Sequence, residues 1–322
     1  MKKYSEVINK IKKKINFSKS IVISSHLRPD GDSIGSGLAL KLMFNKLNKS
    51  ADFINKDNTP FPFMNLPGAD EIIIGQIPSS KYDLVILLEC SEIDRSGQEN
   101  ISNSFIINVD HHTINGKYGN INWIDEKASA LGEMIFYLAK SLRVEIDQKI
   151  ATNLYGAIAS DTGFFRFSNT TPESLEICSY LAKKGVNPHS VSNMLIDNNT
   201  YQRIKLQGLV LSTLNLEENG KLAHITMFKK FLDELHLKEV DTEEIISLVR
   251  SIRGVEIVLF FKEISHNNFR ISIRSKGDIN SGKLAENFGG GGHYHAAGFS
   301  LSGKYEDVVK CAIKEIKTRI NF

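Results

Sequence analysis

The chain has 322 residues, more than one hydrophobic core usually serves, so two domains are expected. Apolar residues make up 41% and charged residues 24%, which is ordinary for a soluble globular protein. The formal net charge of +3 is too small to predict a long nucleic-acid track or a membrane surface as the partner, although a local basic cleft is compatible with it.

The N-terminal segment and the cysteines predict the compartment. Apolar residues recur at helical spacing within residues 4–15, with lysines between them, whereas a signal peptide needs a continuous apolar run and a cleavage site. No segment approaches the ~20 consecutive apolar residues of a membrane span. Cys90, Cys178 and Cys311 are widely separated, which fits a reducing environment. We therefore expect a cytoplasmic protein without a membrane partner.

Strands and helices alternate in the N-terminal part of the chain. Apolar runs predict strands at 21–25, 51–55, 83–89 and 104–110. Helical patterns follow at 34–47, 128–142, 148–160 and 173–184. Near-continuous apolar strands that alternate with helices are typical of a parallel sheet covered on both faces, so the predicted fold class is α/β.

The pattern changes after the glycine- and proline-containing segment 185–190. A helical stretch at 201–214 is followed by strands at 221–228, 255–264 and 268–275 and by helices near 241–253, 281–288 and 304–319. The predicted organisation is a catalytic, metal-binding domain over 1–190, a helical linker over 191–216 and a smaller α/β substrate-binding domain over 217–322.

Acidic and histidine residues follow the predicted N-terminal strands at their C-terminal ends, where open parallel sheets place their sites. Later in the chain, a helix ends in a further aspartate. The residues are His26, Asp30, Asp32, Glu89, Asp110, His111, His112 and Asp161. Imidazoles mixed with carboxylates and no thiolate suit Mn²⁺, with Mg²⁺ or Co²⁺ as substitutes.

The charge of the carboxylates indicates how many ions such a site takes. Four carboxylates, Asp30, Asp32, Glu89 and Asp161, carry a charge of −4, which two divalent cations neutralise. Without metal they would repel one another and partly protonate. Two cations can clamp the attacking and leaving oxygens of a phosphoryl displacement, so a two-metal site is expected. Taken alone, the first motif could instead be a capped loop, with Asp32 or Ser33 as the N-cap of a helix beginning near residue 34.

A second candidate site lies near the C-terminus, where residues 289–293 read Gly-Gly-Gly-Gly-His. Glycines let the backbone approach a ligand and aim several N–H groups at an anion, although a glycine run alone is more often a flexible turn. An arginine and a serine at the end of a predicted strand add a charged fork and a hydroxyl. The predicted substrate-binding residues are Arg274, Ser275, Gly290, Gly291, Gly292 and His293.

The segments HLRPDGDSIGS, VDHHTIN and ASDTGFFRFS resemble the successive signatures of the DHH phosphoesterases. The segment RISIRSKGDINSGKLAENFGGGGHYHAAGF resembles the DHH-associated substrate-binding domain. The resemblance covers nearly the whole chain. Its size and arrangement are most similar to the branch of NrnA-type oligoribonucleases and pAp phosphatases, where pAp is 3′-phosphoadenosine 5′-phosphate.

The resemblance implies roles for the matched positions. One manganese would be held by His26 and Asp30, the other by Asp32, His111 and Asp161, and position 89 would bridge the two. Asp110 would orient the neighbouring histidines, and His112 would contact the scissile phosphate or act as a general acid. Position 89 is usually aspartate, so Glu89 puts the metal spacing in doubt; alternatively, it pairs with Arg95 at the surface.

The implied activity is hydrolysis of short oligoribonucleotides to mononucleotides, of pAp to AMP, or of the dinucleotide pApA. Long DNA is not expected, because the chain shows no aromatic-rich stacking face. The open alternatives are an enzyme dedicated to cyclic-dinucleotide breakdown products, a pyrophosphatase or polyphosphatase, and a nucleotide-binding sensor with weakened catalysis. The sequence does not choose among these substrates, and it leaves a homodimer open.

Overall fold

A computed structural model describes residues 4–79, 81–99, 101, 103–196, 199–238 and 242–320. The chain forms two compact units, residues 1–198 and 199–322. The helices of the first unit are α1 (Ser5–Phe17), α2 (Gly31–Lys46), α3 (Leu131–Leu142), α4 (Gln148–Asp161), α5 (Pro172–Lys183) and α6 (Pro188–Leu195). Its strands are β1 (Ser20–Ser25), β2 (Ser50–Asn55), β3 (Ile73–Ile74), β4 (Leu84–Leu88), β5 (Ile106–Asp110) and β6 (Ile121–Ile124).

These strands form one parallel sheet in the order β3-β2-β1-β4-β5-β6. Strands β1 and β4 are neighbours although β2 and β3 lie between them in the chain, so the strand order reverses there. The C-terminal ends of such a strand pair open into the crevice where parallel sheets bind their ligands. Every residue of β4 is buried, as expected for a strand covered on both faces. The predicted α/β class with a parallel sheet is confirmed.

Helix α2 begins three residues before the predicted start at residue 34, because Asp30 is its N-cap. The Asp30 carboxylate accepts a hydrogen bond from the Ser33 N–H (2.9 Å), and the Asp30 N–H donates to the Ser33 hydroxyl (3.1 Å). This reciprocal pair satisfies donors that the first turn of a helix leaves free. The prediction that Asp32 or Ser33 would be the cap is therefore wrong, and Asp32 is available for another role.

The second unit contains the strands β7 (Asn215–Glu217), β8 (Leu222–Met227), β9 (Ile257–Ser265), β10 (Asn268–Ser275), β11 (Gly291–Gly292) and β12 (Ala296–Ser302). Its helices are α7 (Tyr201–Leu211), α8 (Lys229–Glu234), α9 (Glu243–Arg250), α10 (Ser281–Glu286) and α11 (Tyr305–Lys317). The sheet order is β11-β12-β10-β9-β8-β7, and β8 and β9 are its parallel pair. The predicted second, smaller α/β domain is confirmed in its fold class.

Both faces of this second sheet are covered by helices. On one face α11 contributes Val308 and Ile316 to a buried cluster with Leu222. On the other face α7 contributes Leu206 and Val210. Helix α7, predicted as part of a linker, thus packs into the core of the second unit; the boundaries proposed for the domains and the linker remain predictions. Within the described residues no helix is both long and apolar enough to cross a membrane.

Gly35 marks the closest approach of α2 to α4 and allows a direct test of this packing. A Cβ added there would lie 2.6 Å from the Asn153 carbonyl oxygen and 3.0 Å from the Ala157 Cβ. We expect Gly35→Ala to lower the free energy of unfolding by ~1–3 kcal/mol, because the methyl group must displace backbone.

The matched control is Gly208→Ala in α7, where nothing lies within 4 Å of the added Cβ. This change should raise stability by up to ~1 kcal/mol through helix propensity. Denaturant unfolding of both variants in the presence of a chelator measures the difference. Equal stabilities for the two variants would contradict the close α2–α4 contact.

Candidate metal centre

The predicted ligand residues lie at the crevice between the C-terminal ends of β1 and β4. His26 follows β1 directly, Asp30 is the N-cap of α2, and Asp32 lies in the first turn of that helix. Glu89 follows β4, and Asp161 is the last residue of α4. The crossover helices and the parallel strands therefore bring side chains more than a hundred residues apart to one edge of the sheet.

The ligand-type side chains converge in three overlapping groups, and within each group the donor atoms lie within 4.8 Å of one another. The groups are His26, Asp30 and Glu89; Asp32, His111 and Asp161; and Glu89, His111 and His112. The structure thus brings together all six predicted metal ligands.

His111 lies at the centre of this arrangement. Its Nε2 atom is 3.1 Å from Glu89 Oε1, 3.7 Å from Asp32 Oδ2 and 3.9 Å from Asp161 Oδ2. The Nε2 atom of His26 lies 3.6 Å from Asp30 Oδ2. Because Glu89 belongs to the group of His26 and also to a group of His111, it is the residue that connects them.

Asp32 is buried and is held by the N-terminus of α3. Its carboxylate accepts hydrogen bonds from the backbone N–H groups of Leu131 and Gly132 (2.9 Å for Gly132) and from the Ser36 hydroxyl (3.1 Å). Ala130, the residue before α3, offers no side-chain cap. A carboxylate from another helix therefore satisfies these free N–H groups, and the helix dipole stabilises its negative charge.

Glu89 has an unusual backbone and an unsatisfied side chain. Its φ of +55° lies in the left-handed region that non-glycine residues seldom occupy, and its N–H still donates to the Val109 carbonyl (3.0 Å). The Oε2 atom is buried and has no hydrogen-bond partner within the described residues. The alternative in which Glu89 pairs with Arg95 is wrong, because its ionic neighbour is His111.

The electrostatics of the cluster fit a divalent cation. Burial, together with the neighbouring carboxylates, raises the pKa of Glu89 and of Asp32 well above the usual values, and burial also raises the pKa of Asp161. Carboxylates this close together stay ionised only when a positive charge lies near them. Oxygen and imidazole donors, with an unpartnered Glu89 oxygen among them, match the ligand preference of metals such as Mn²⁺ or Mg²⁺. The residues present therefore fit a divalent metal.

Backbone carbonyls orient the two histidines of the cluster. Nδ1 of His26 lies 2.9 Å from the Leu27 carbonyl oxygen, and Nδ1 of His111 lies 3.3 Å from the Ala128 carbonyl oxygen. A carbonyl oxygen only accepts, so each contact places a proton on Nδ1 and leaves Nε2 as the ring atom that faces the carboxylates. This is the arrangement that metal-binding histidines usually have.

Asp110 is buried and orients His112, the more exposed histidine. Its Oδ1 atom accepts from the His112 backbone N–H (2.9 Å) and faces the His112 Nδ1 (2.8 Å), and this hydrogen bond raises the pKa of His112. The Oδ2 atom accepts from the Asn115 amide at 2.6 Å. Sequence reasoning missed Asn115, although it ends the quoted motif VDHHTIN. Asp110 holds one of the two neighbouring histidines, whereas His111 is held by Ala128.

Asn169 is a second supporting residue that the sequence did not reveal. Its amide Nδ2 donates to the Asp161 carboxylate at 3.0 Å and to the Ser129 carbonyl at 2.9 Å. It thereby links the end of α4 to the segment that precedes α3. The intervening residues Gly163, Phe164 and Phe165 all have positive φ values, so this turn has a tightly specified path.

We expect Asn169→Asp to lower kcat/KM by about 10–100-fold, because a carboxylate would replace the amide donor beside Asp161 and repel it. Asn193→Asp, an asparagine on α6 of the same unit, is the matched control and should leave hydrolysis unchanged. Steady-state hydrolysis of a dinucleotide measures both variants. Equal activity of Asn169→Asp and the wild type would show that Asn169 does not position Asp161.

The predicted substrate-binding residues lie in the second unit, at the end of β10 and around β11. The Arg274 guanidinium donates to the Ile273 carbonyl (3.0 Å). Ser275 is buried, and its hydroxyl donates to the Ile279 carbonyl (2.7 Å) while accepting from the Ser281 hydroxyl (2.9 Å). Ser275 therefore supports the loop after β10. Roles for Arg274 and Ser275 in substrate binding remain predictions.

The glycine run is not the open nest that the sequence suggested. Gly291 and Gly292 form the edge strand β11 against β12, and the N–H groups of Gly290 and His293 donate to the Ala285 and Ala296 carbonyls. These two N–H groups are thus not available to an anion. Glycine is required at 290 and 292 because an added Cβ would lie 2.2 Å from the Gly298 oxygen and 2.5 Å from the Ala296 oxygen, respectively. Gly291 has nothing within 4 Å of an added Cβ, and contact with substrate by these glycines and His293 remains a prediction.

Comparisons with known proteins agree with this arrangement. Residues 20–158 match the DHH family, N-terminal domain, and residues 222–321 match the DHHA1 domain. The protein from Thermus thermophilus named bifunctional oligoribonuclease and PAP phosphatase NrnA is 32% identical over 94% of this chain and 91% of its own length. The protein of the same name from Mycoplasma genitalium is 30% identical over 98% of this chain and 99% of its own length.

Among solved structures, an exopolyphosphatase-related protein from Bacteroides fragilis superimposes with a TM-score of 0.89. The alignment covers 98% of this chain and 96% of that one, at 24% sequence identity. At this identity the likeness shows that both proteins share the fold.

Proposed function

This chain belongs to the DHH family of phosphoesterases, and from that premise we propose that it hydrolyses short oligoribonucleotides to mononucleotides and converts pAp to AMP. It is a hydrolase of phosphoester bonds that depends on a divalent metal. The observation that carries the proposal is the convergence of His26, Asp30, Asp32, Glu89, His111 and Asp161 at one edge of the parallel sheet. Relatives similar over nearly the whole chain are named for the two proposed activities.

Two manganese ions are proposed for this centre, with Mg²⁺ or Co²⁺ as substitutes. His26 and Asp30 would hold one ion and Asp32, His111 and Asp161 the other, with the Glu89 carboxylate shared between them. Support comes from the membership of Glu89 in two of the three ligand groups and from the balance of −4 and +4 charges. When bound, such ions supply electrostatic stabilisation of the charge that develops on the phosphoryl oxygens.

His112 is proposed to protonate the leaving oxygen. Its Nδ1 atom is engaged by Asp110, so its Nε2 atom is the one that can face a substrate, and its side chain is 58% exposed. Asp110 remains buried and keeps the imidazole in one orientation with the help of Asn115. A positioned imidazole of this kind typically contributes ~10²–10⁴-fold to a rate.

The proposed substrates are short, phosphorylated ribonucleotides, such as di- and trinucleotides, pAp and pApA, and long DNA is not among them. The restriction is supported by the small formal net charge of +3, which gives no large overall positive field along which a long nucleic acid would be held. A cytoplasmic location is supported by the three free cysteines, Cys90, Cys178 and Cys311. A homodimer remains a prediction.

Hydrolysis of 5′-phosphorylated RNAs of two, three, five and twenty-four nucleotides in the presence of Mn²⁺ tests the proposal, with pAp, pApA and pyrophosphate alongside. We expect the fastest release of mononucleotides from the two shortest RNAs and measurable conversion of pAp. Equal rates for the longest and shortest RNA would contradict the restriction to short substrates. Preferred cleavage of pyrophosphate would favour the pyrophosphatase alternative. No hydrolysis with metal bound would favour a nucleotide-binding sensor.

A further inference from the structure

An open groove of about 820 Å³ lies in the second unit, beside α11, the edge strand β7 and its neighbour β8. Its wall includes Val309 and Ile313 of α11, and its floor includes His224 of β8. None of its lining residues belongs to the metal centre or to the predicted substrate-binding set. The volume lies within the range of small-molecule sites, which are typically apolar with a few placed polar groups.

His224 is the polar group on the floor. It is only 5% exposed, and its ring packs edge-on against Phe261 with the centroids 6.1 Å apart. Its Nδ1 atom is buried and has no hydrogen-bond partner within the described residues. Burial lowers the pKa of this imidazole, so the ring is neutral at physiological pH. The Nδ1 atom is itself inaccessible from the groove, so a ligand there would contact the exposed part of the His224 ring and not this atom.

Three lysines of α11 line the same groove. Lys310, Lys314 and Lys317 are spaced by four and three residues, so they share one face of the helix along ~10 Å. Lys317 pairs with Glu217 (3.1 Å) and Glu218 (2.7 Å). Lys310 and Lys314 are exposed and make no ion pair in the part of the chain that the structure describes. Two glutamates, Glu217 and Glu306, line the groove as well, so its lysines outnumber its carboxylates by one next to the apolar wall.

We propose that this groove binds a nucleoside monophosphate, with its phosphate at Lys310 and Lys314 and its base against Val309, Ile313 and the imidazole of His224. The two lysines select an anion. The apolar wall and the neutral imidazole select a flat body that carries hydrogen-bonding groups on its edge. Free phosphate uses only the lysines, and an aliphatic acid lacks the flat face that can pack against Val309, Ile313 and the His224 ring.

Nucleoside monophosphates are also what the proposed hydrolysis releases, and in this respect the inference rests on the proposed function. The groove is then a second nucleotide site that senses the product. Its residues are far in the sequence from those of the metal centre. Binding itself does not depend on turnover, because no residue of the groove takes part in the metal centre.

The test is photoaffinity labelling of the full chain with 8-azido-AMP in the presence of a chelator, followed by peptide mapping. We expect saturable labelling of peptides from Leu222–Met227 and Tyr305–Lys317, suppressed by AMP and not by equal concentrations of inorganic phosphate or adenosine. The double change Lys310→Gln/Lys314→Gln should weaken AMP binding at least tenfold. His224→Phe, which keeps a ring and removes its nitrogens, should weaken it as well.

The matched control is Lys229→Gln/Lys230→Gln, which neutralises two exposed lysines of the same unit outside the groove and should bind AMP like the wild type. Without added AMP, the Lys310→Gln/Lys314→Gln variant should hydrolyse a dinucleotide at the wild-type rate. Labelling confined to other peptides, unchanged affinity of the groove variants, or competition by phosphate as strong as by AMP would each overturn the proposal. If the wild type hydrolysed nothing, the proposed function would fail while the binding result stood.

Discussion

Asp32→Asn is expected to reduce kcat/KM for a dinucleotide by more than about a thousandfold, since a buried metal-binding carboxylate contributes several kcal/mol. Asparagine has the same size, but it removes the negative charge that faces His111 at 3.7 Å. It also replaces one of the acceptor oxygens by an NH₂ group, so either the Leu131 or the Gly132 N–H group loses its acceptor. Metal content and steady-state hydrolysis with Mn²⁺ should fall together.

Asp83→Asn is the matched control for this change. Asp83 is an exposed aspartate of the same unit whose carboxylate also accepts two backbone hydrogen bonds, from Lys19 (2.8 Å) and Ser20 (3.0 Å). It lies before β4, at the opposite end of that strand from Glu89. Its replacement should leave hydrolysis unchanged. An Asp32→Asn variant that retained a tenth of wild-type activity would remove Asp32 from the proposed ligands.

Glu89→Gln is expected to abolish metal-dependent hydrolysis and at the same time to stabilise the metal-free protein. The wild-type carboxylate is buried among Asp32, Asp30 and Asp161, which all oppose its ionisation. A neutral amide removes this repulsion, so in a chelator the variant should unfold at a temperature higher by a few degrees, from a gain of ~1 kcal/mol. Added Mn²⁺ should stabilise the wild type and not the variant.

Glu89→Asp separates charge from length at this position. Aspartate keeps the negative charge and loses one methylene, so we expect Mn²⁺ to stabilise this variant and activity to fall by no more than about tenfold. Thermal unfolding with and without Mn²⁺, together with dinucleotide hydrolysis, compares the three proteins. Equal stabilisation of the Gln variant and the wild type by Mn²⁺ would show that Glu89 is not a ligand.

The sequence was sufficient to predict the parallel sheet and the six ligand-type residues at its edge. Strands buried on both faces are continuous apolar runs, and a site at their C-terminal ends follows from the topology. Five strands were missed, namely β3, β6, β7, β11 and β12, and the two longest of them show the physical reason. Strand β12 reads AAGFSLS and forms because β10 pairs with it along seven residues, whereas β6 has four residues, of which Trp123 alone is fully buried. Pairing with a neighbour, rather than their own composition, makes these segments strands.

The hydrogen bonds that hold the side chains of the candidate metal centre in place could not be predicted from the sequence. The hydrogen bond from the Leu131 N–H to Asp32 joins residues that are 99 positions apart, and the one from Asn169 to Asp161 depends on a turn with three successive positive φ values. Neither contact has a local pattern that a single sequence reveals. The glycine run shows the converse: its composition suggested an open anion nest, yet steric contact with β12 explains Gly290 and Gly292.

The hydrogen bonds from the first residues of α3 to Asp32 have a consequence for how the protein folds during its synthesis. The first proposed ligand, His26, and the last, Asp161, are separated by most of the first unit. The carboxylate of Asp32 is not fixed until Leu131 and Gly132 have been synthesised and packed. A nascent chain that ends before α4 lacks a ligand as well as the helix that carries it. Such long-range contacts form late in folding. With the proposed ligands, metal binding is therefore expected to be a late step of folding, because a chain that lacks α4 has an incomplete centre.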